Sequence, residues 1–476
     1  MKILLIKPLL SHKSDFMFEP PLGLMYISAY LKSHGYEDIK MIHMDVERVS
    51  LSALSLVLRE YCPDVIGLSA LTAEAESMYQ IAALIKEELP LAVIVAGGPH
   101  ATAYGLEDKE SKNIDIIVIG EGEKAFLEIL KNLRDTKAYY QIPGICFWHQ
   151  DHVVRTGARL PVDPVDQLPY PDWGLIEPMN YVNLPSMSRI ICREAHMPLF
   201  TSRGCPFRCA YCHNIFGKKF RAHSSERVIN EIKTIHDKFG ITHFEILDDI
   251  FNFSKERVIS IMQGIIDSGI KIKLFFPNGL RGDILDDELL DLFVRAGVVY
   301  ISIAVETASP RLQQKLQKYI SLPKIKEIIS KVSRRKIFVN GFFMLGFPDE
   351  TFGEVISTIF FALTSRLHSA SFFLVHPFKG TQVGRWAEES HKNTVAAGDR
   401  NNYAIIDQNS AQCSNFTPIQ LRWIFGLVNF LFYCNPVRFS RIVRDLPEKK
   451  TLMPLLTVFL SRVLNRDFVS RQRRVS

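Results

Sequence analysis

Twice along this chain short apolar runs alternate with amphipathic segments, and no other feature restricts the fold as much. Within residues 1–140 the apolar runs Lys2 to Ile6, Ile39 to Ile42, Val65 to Ser69, Ala92 to Ala96 and Ile114 to Ile119 alternate with Leu22 to Ser33, Leu51 to Arg59, Ala75 to Glu88 and Lys124 to Asn132. Strand-helix alternation at this spacing predicts a doubly wound parallel sheet, in which ligands bind beyond the carboxyl ends of the strands. Those ends carry Ser69 and Thr72, then Gly97, Gly98 and His100, then Gly120, Glu121 and Gly122. Small residues there let a large ligand approach the backbone, although glycines that merely make the turns give the same pattern. No G-x-G-x-x-G follows the first run, which argues against a nicotinamide or flavin site of the Rossmann type.

Residues 141–196 break the rhythm. Gly144 to Gly157 reads as a hairpin around a polar tip, and Leu160 to Pro198, with seven prolines and no clear period, reads as a linker. From Met197 the alternation restarts, with strands expected at Leu199 to Thr201, His243 to Leu247, Lys273 to Phe276, Val299 to Val305, Phe338 to Leu345 and Ser371 to Val375. Gly240, Gly269 and Gly297 sit where the intervening helices must stop. Six such units are fewer than the eight that close a (β/α) barrel, so residues 197–385 are expected to form an open, partial (β/α)6 barrel. Polar residues an apolar sheet does not need cluster at its carboxyl ends: Asp248, Asp249, Asn278, Arg281, Glu306 and the turn Gly346 to Thr351. Residues 386–476 are expected to be helical and basic, with Thr417-Pro-Ile-Gln420 reading as a capping box that opens a helix apolar nearly all round. Burial of that helix against the open side of the barrel is the expected outcome.

The chemistry-bearing stretch is Cys205-Pro-Phe-Arg-Cys209-Ala-Tyr-Cys212, three cysteines within one loop after the first strand of the second series. A structural zinc site takes four protein ligands, usually from two separated knuckles, and no partner pair lies nearby. Cys209-Ala-Tyr-Cys212-His213 also spells the C-x-x-C-H string of c-type haem attachment, which requires export. The third reading is an iron-sulfur cluster held by three cysteines, one iron being left for another ligand.

With Tyr211 before the last cysteine, C-x3-C-x-aromatic-C resembles the signature of the radical S-adenosylmethionine (SAM) superfamily. That resemblance implies a 4Fe-4S cluster on Cys205, Cys209 and Cys212, with SAM chelating the open iron. It further implies Tyr211 and the Gly346 loop beside the adenine, Glu306 at the ribose, and Asp248 or Asp249 near the SAM amino group, with Arg281 in the same site. The family's Gly-Gly-Glu is replaced here by Leu247-Asp-Asp249. Pro20-Pro-Leu-Gly-Leu-Met-Tyr-Ile-Ser-Ala-Tyr-Leu31, together with the Gly97 to His100 and Gly120 to Glu123 turns, resembles the cobalamin-binding domain fused to many radical SAM enzymes. The chain contains no D-x-H-x-x-G, so the resemblance implies cobalamin held without a histidine on cobalt, with His12 and His100 as candidate neighbours.

Together these features imply an enzyme that forms a 5′-deoxyadenosyl radical and methylates an unactivated carbon of a small molecule or lipid. A low-potential donor such as flavodoxin or ferredoxin is the expected partner. Two alternatives are a radical cyclase or oxidoreductase with cobalamin as redox partner, and a cobalamin sensor or carrier with a structural cluster. Composition agrees with a globular protein, at 47% hydrophobic and 23% charged. The apolar run before Lys7 is too short for a secretory signal, so a cytoplasmic location is expected. Cys62, Cys146, Cys192, Cys413 and Cys434 show no pairing pattern and are expected to be small core residues. Ten Lys or Arg against three acids from Pro436 to Ser476 exceed the whole-chain charge of +6, so an anionic partner would meet that tail. Peripheral membrane contact is therefore expected there, and nucleic acid is not.

Overall fold

The computed structural model describes residues 1–10, 17–106, 109–182, 184–188, 190, 194–212, 215–390, 413–453 and 455–456. They fall into two compact units, one of residues 1–10 and 20–180, the other of residues 17–19 and those from 181 on. His12 and Cys192, and most of the basic tail beyond residue 456, lie outside the described residues.

In the first unit the strands are β1 (Ile3–Lys7), β2 (Ile39–His43), β3 (Val65–Ser69), β4 (Val93–Gly97), β5 (Ile116–Val118), β6 (Ile145–His149) and β7 (His152–Arg155). They form one sheet in the order β2-β1-β3-β4-β5-β6-β7. The first five are parallel, with Ile3 opposite both Ile39 and Val65. Alternate residues of each strand feed separate cores: Leu4, Ile6, Ile66, Leu68 and Ile94 on one face, Ile3, Leu5, Val65, Val93 and Val95 on the other. Helices cover both faces, so each strand reads as an uninterrupted apolar run. The expected hairpin is β6 and β7. It is part of the sheet, β6 pairing antiparallel with β5 through Ile116 and Phe147. Strand order reverses between β1 and β3, and that switch point opens a crevice at the carboxyl ends.

The second unit contains β8 (His196–Leu199), β9 (Ser202–Arg203), β10 (Arg221–Ala222), β11 (His243–Ile246), β12 (Lys273–Leu280), β13 (Val298–Glu306), β14 (Phe338–Leu345) and β15 (Ser369–Leu374). Six of them form an all-parallel sheet, β15-β14-β13-β12-β11-β8, and β9 and β10 make a small antiparallel pair. All six expected strands are present. The first spans His196–Leu199 rather than Leu199 to Thr201, and it stops at Leu199 because Thr201 and Ser202 are drawn off the sheet by hydrogen bonds to Asp248. A row of rings crosses one face, His243 on Phe275, Phe275 near Tyr300, Tyr300 on Phe338 and Phe338 on His368. Ile190, Ile442 and Leu446 pack on it.

The capping box at Thr417 opens the helix Pro418–Tyr433, Gln420 donating its N–H to the threonine oxygen. That helix is half-buried rather than buried. Leu421, Phe425, Val428 and Phe432 pack inward, whereas Ile419, Trp423, Leu427 and Phe430 are exposed. The next helix, Pro436–Asp445, is not a simple solvated basic face either. Arg438 is buried and donates to the carbonyls of Ala362, Leu363, Ser365, Leu367 and Phe432, supplying donors that the end of the helix Phe352–Thr364 lacks. Of the scattered cysteines, Cys146 and Cys413 are buried as expected, while Cys62 and Cys434 are exposed.

Candidate active site

The cysteine loop leaves β9 through Gly204, where a side chain is impossible. Its φ is +83°, and a Cβ would lie 2.3 Å from the Lys219 carbonyl oxygen and 3.1 Å from those of Phe216 and Gly217. Beyond it the Cys205 N–H reaches the Gly217 carbonyl, and the Cys212 N–H that of Cys209. Ala210 anchors the far side: its N–H donates to the Leu316 carbonyl, and its own carbonyl accepts from Val383. It is packed among Leu312, Leu316, Phe347, Val375, Val383 and Ala387, with Tyr211 alongside. The loop is thus fixed at one end to the first barrel strand and at the other to segments that follow β13 and β15.

The thiols of Cys205, Cys209 and Cys212 lie within electrostatic reach of one another. Loss of hydration around the sulfurs pushes the Cys212 thiol up to about 11, although the residue keeps an exposed edge, and raises that of Cys205, so bare thiolates are unfavourable at these two positions. Iron would offset that cost by supplying positive charge at all three sulfurs, and a loop giving three ligands fits a 4Fe-4S cluster with one open position.

The residues expected around SAM divide into two sets. Tyr211, Glu306 and Lys318 form one hydrogen-bonded group: the tyrosine hydroxyl donates to Glu306 Oε1 at 2.9 Å, and Lys318 Nζ lies 3.1 Å from that hydroxyl and 3.3 Å from the same carboxylate oxygen. Burial and the Glu306 charge push the Tyr211 hydroxyl well above its usual range, so it stays a donor. Glu306 ends β13 with φ +67°, beside an irregularity in the β13–β14 register that turns its side chain off the strand pattern. Lys318 was not legible in the sequence as a site residue. A lone lysine after a short helix has no motif, and its burial at 7% exposure is visible only in the fold.

Asp248 and Asp249 part company. Asp248 is buried and accepts from the Thr201 N–H and from the hydroxyls of Thr201 and Ser202, so it braces the strand that enters the cysteine loop. Asp249 is exposed, with one oxygen on the Gly204 N–H and its charge acting on Cys205 and Cys212. Arg281 is also committed: it chelates Asp283 at 3.0 and 2.8 Å and lies 3.9 Å over the ring of Phe207, inside the cysteine loop. Gly346, at φ +93°, donates its N–H to Glu350, which accepts from Phe347 as well. Burial pushes the Glu350 carboxyl up to about 7.

In the first unit the expected residues do gather at the carboxyl ends of β3, β4 and β5. Ser69 ends β3, and Gly97 ends β4. Gly98 has φ +86°, with a Cβ position 2.9 Å from Ser69 Oγ and 3.0 Å from the Ala70 carbonyl oxygen. Thr72 opens a short turn of helix, the Gly120 N–H is held by Thr102 Oγ1, and Glu121 and Gly122 lead into the helix Glu123–Lys131. His100 is buried rather than displayed, its Nε2 2.9 Å from the Tyr79 hydroxyl and its ring stacked on Tyr104. Sequence reasoning did not single out Lys7, at the end of β1, whose ammonium meets Glu74 at 2.6 Å beside the switch point.

Residues 199–362 match the radical SAM superfamily and residues 17–130 match the B12 binding domain. The chain is 28% identical to an uncharacterised methyltransferase of Pyrococcus horikoshii over 92% of this chain and 94% of that one. It is 29% identical to an anaerobic magnesium-protoporphyrin IX monomethyl ester cyclase of Cereibacter sphaeroides over 70% of this chain and 54% of the cyclase. The fold is shared with the cobalamin-dependent S-adenosylmethionine radical enzyme OxsB, solved with aqua-cobalamin and S-adenosylmethionine bound. That likeness has a TM-score of 0.74 and 17% identity, and covers 98% of this chain and 76% of the other.

Proposed function

The chain belongs to the radical SAM enzymes that carry a B12-binding domain, and from that premise we propose that it transfers a methyl group from SAM to an unactivated carbon of a small molecule or lipid. It is an enzyme whose cofactors are a 4Fe-4S cluster, SAM and cobalamin. The observation that carries the methylation reading is the pairing of a three-cysteine barrel with a B12-binding unit lacking D-x-H-x-x-G, in a chain similar along almost its whole length to a protein named as a methyltransferase.

When bound, these cofactors supply one-electron cleavage of SAM and a transferable methyl group. The chain's own residues supply position and charge. Cys205, Cys209 and Cys212 would hold the cluster. Exposed Asp249 is the better candidate of the two aspartates for the SAM amino group, since Asp248 already accepts three hydrogen bonds. Glu306 would accept from the ribose hydroxyls, with Lys318 and Tyr211 fixing its carboxylate, and the Gly346 turn would offer backbone to the adenine. Arg281 acts indirectly, by holding Phe207 and so the loop. Ser69, Thr72, Gly97, Gly98, Gly120, Glu121 and Gly122 would border the corrin, with His100 held by Tyr79 in the same turn region. Flavodoxin or ferredoxin would supply electrons.

The cyclase similarity supports a second reading, a radical ring closure or oxidation with cobalamin as redox partner. One experiment separates the two. Reduced, reconstituted enzyme is incubated with methyl-labelled SAM and a cell metabolite extract. Methylation predicts label in an extract component, with S-adenosylhomocysteine and 5′-deoxyadenosine formed in near-equal amounts. A changed component and 5′-deoxyadenosine without label transfer would establish the second reading instead.

A further inference from the structure

The second unit gathers much of its exposed apolar surface on two neighbouring helices. The helix Phe352–Thr364 buries Val355, Thr358, Phe361 and Ala362, and turns Phe352, Ile356 and Phe360 outward at 61, 47 and 64% exposure. Their spacing of four residues lays them along one stripe. The helix Pro418–Tyr433 packs beside it and presents a second stripe, Ile419, Trp423, Leu427 and Phe430. Large exposed apolar patches on soluble proteins mark sites of contact with another molecule or a membrane.

Just beyond the ends of both helices lies a strongly basic cleft of about 520 Å³, lined by Arg366, Pro436, Val437, Ser440, Arg441 and Arg444. Arg441 is 9% exposed; its Nη2 donates to the Leu367 carbonyl at 2.9 Å, but its Nε has no hydrogen-bond partner, and the Nε of Arg366 is likewise buried without one. The carboxylate facing them, Asp445, is engaged on both sides, by Arg444 at 2.8 Å and by His368 at 3.1 Å. Arg444 takes the Asp445 carboxylate, while burial first, and then the Arg366 charge, disfavours the charge on Arg441. A phosphate diester answers this donor pattern, since guanidinium forks match phosphate oxygens and an anion relieves the mutual repulsion.

We propose that this face seats the enzyme on an anionic phospholipid bilayer, with lipid phosphates in the Arg366, Arg441 and Arg444 cleft and Phe360, Trp423 and Leu427 at the boundary between headgroups and acyl chains. Aromatic and aliphatic side chains beside arginines are the pattern of a surface that lies in that boundary. Among the described residues no helix is long and apolar enough to cross a membrane; the contact proposed is with one leaflet. A second copy of the chain is a poorer occupant, because a symmetric contact would bring one arginine cleft towards another. Residues 457–476 are poorer as well, since their five arginines against one acid would add positive charge to a cleft that already has an excess. The inference is independent of which reaction the enzyme performs.

The test is co-sedimentation of the full-length holoenzyme with vesicles of phosphatidylcholine alone or mixed in equal parts with phosphatidylglycerol, at low and high salt. Binding is expected to the mixed vesicles at low salt, weakened on the order of tenfold or more by Trp423→Glu or by Arg366→Gln. Melting curves and 5′-deoxyadenosine formation from SAM should be unchanged in both variants, which separates loss of docking from loss of fold or activity. Equal sedimentation of wild type and variants overturns the proposal. So does a melting shift with inorganic phosphate that Arg366→Gln abolishes in the absence of vesicle binding, which would make the cleft a site for free phosphate. Dissociation of a dimer by Trp423→Glu, or vesicle binding lost only on deleting residues 457–476, would likewise overturn it in favour of a second copy or of the tail.

Discussion

Glu306 holds a backbone shape that favours glycine, with φ +67°, while its side chain is buried against Lys318 and Tyr211. Strain of this kind persists only where neighbours over-determine it. Lys318→Met should therefore cost about 3 kcal/mol of stability, because it leaves the Glu306 carboxylate without its cation, and should weaken SAM binding in parallel. Denaturant melts and equilibrium dialysis with SAM read the two effects. Tyr211 and Glu306 were legible from the sequence because a motif and a strand end marked them, whereas Lys318 was not, since nothing local distinguishes a buried lysine from a solvated one. The aspartate pair was legible only as a pair; which member is braced by Thr201 and which faces outward depends on a tertiary contact.

Glu350 gives a pH signature at the same scale. Burial raises its carboxyl from 4.5 to about 7, so the fold prefers the protonated form, and the N–H groups of Gly346 and Phe347 offset only part of the penalty on the charge. A raised carboxyl contributes stability that is fully present below its unfolded value and is lost as the pH climbs towards 7. Relative to wild type, Glu350→Gln should gain stability between about pH 5 and pH 8, by up to about 3 kcal/mol. Urea unfolding of both proteins at the two pH values checks this.

At the scale of elements, the cysteine loop depends on Gly204 as much as on its thiols. Gly204→Ala forces a Cβ against three backbone carbonyls, none of which can swing aside like the end of a side chain. Anaerobic reconstitution of that variant should bring iron and sulfide down several-fold, close to a Cys205→Ala, Cys209→Ala, Cys212→Ala triple variant, while the first unit keeps its circular-dichroism contribution. All the strands of both sheets' parallel runs could be anticipated, because each is a buried apolar run between helices. The end of β8 and the half-exposed helix Pro418–Tyr433 could not. The first is decided by Asp248, some distance along the chain, and in the second an apolar sequence all round gives no hint of which face stays bare.

For the whole molecule, two units with separate cores predict two distinguishable ligand responses. Hydroxocobalamin should raise the calorimetric transition of the B12-binding unit, and cluster reconstitution that of the barrel, by RT ln(1 + [L]/Kd) in each case. A single transition that both ligands shift equally would contradict it. The division into two alternating stretches was visible in the sequence, as was the hairpin. That the hairpin would extend the first sheet was not, because an antiparallel edge strand carries the same local pattern as a free hairpin.

The anchoring of Ala210 by Leu316 and Val383 has a bearing on how the enzyme is made. A ribosome releases the three cysteines long before it releases the segments that pin their loop, and the packing around Ala210 is not complete until Cys413 has emerged. Iron delivery therefore belongs after translation, to a finished barrel, and a growing chain that meets the iron-loading machinery early has no rigid loop to offer it.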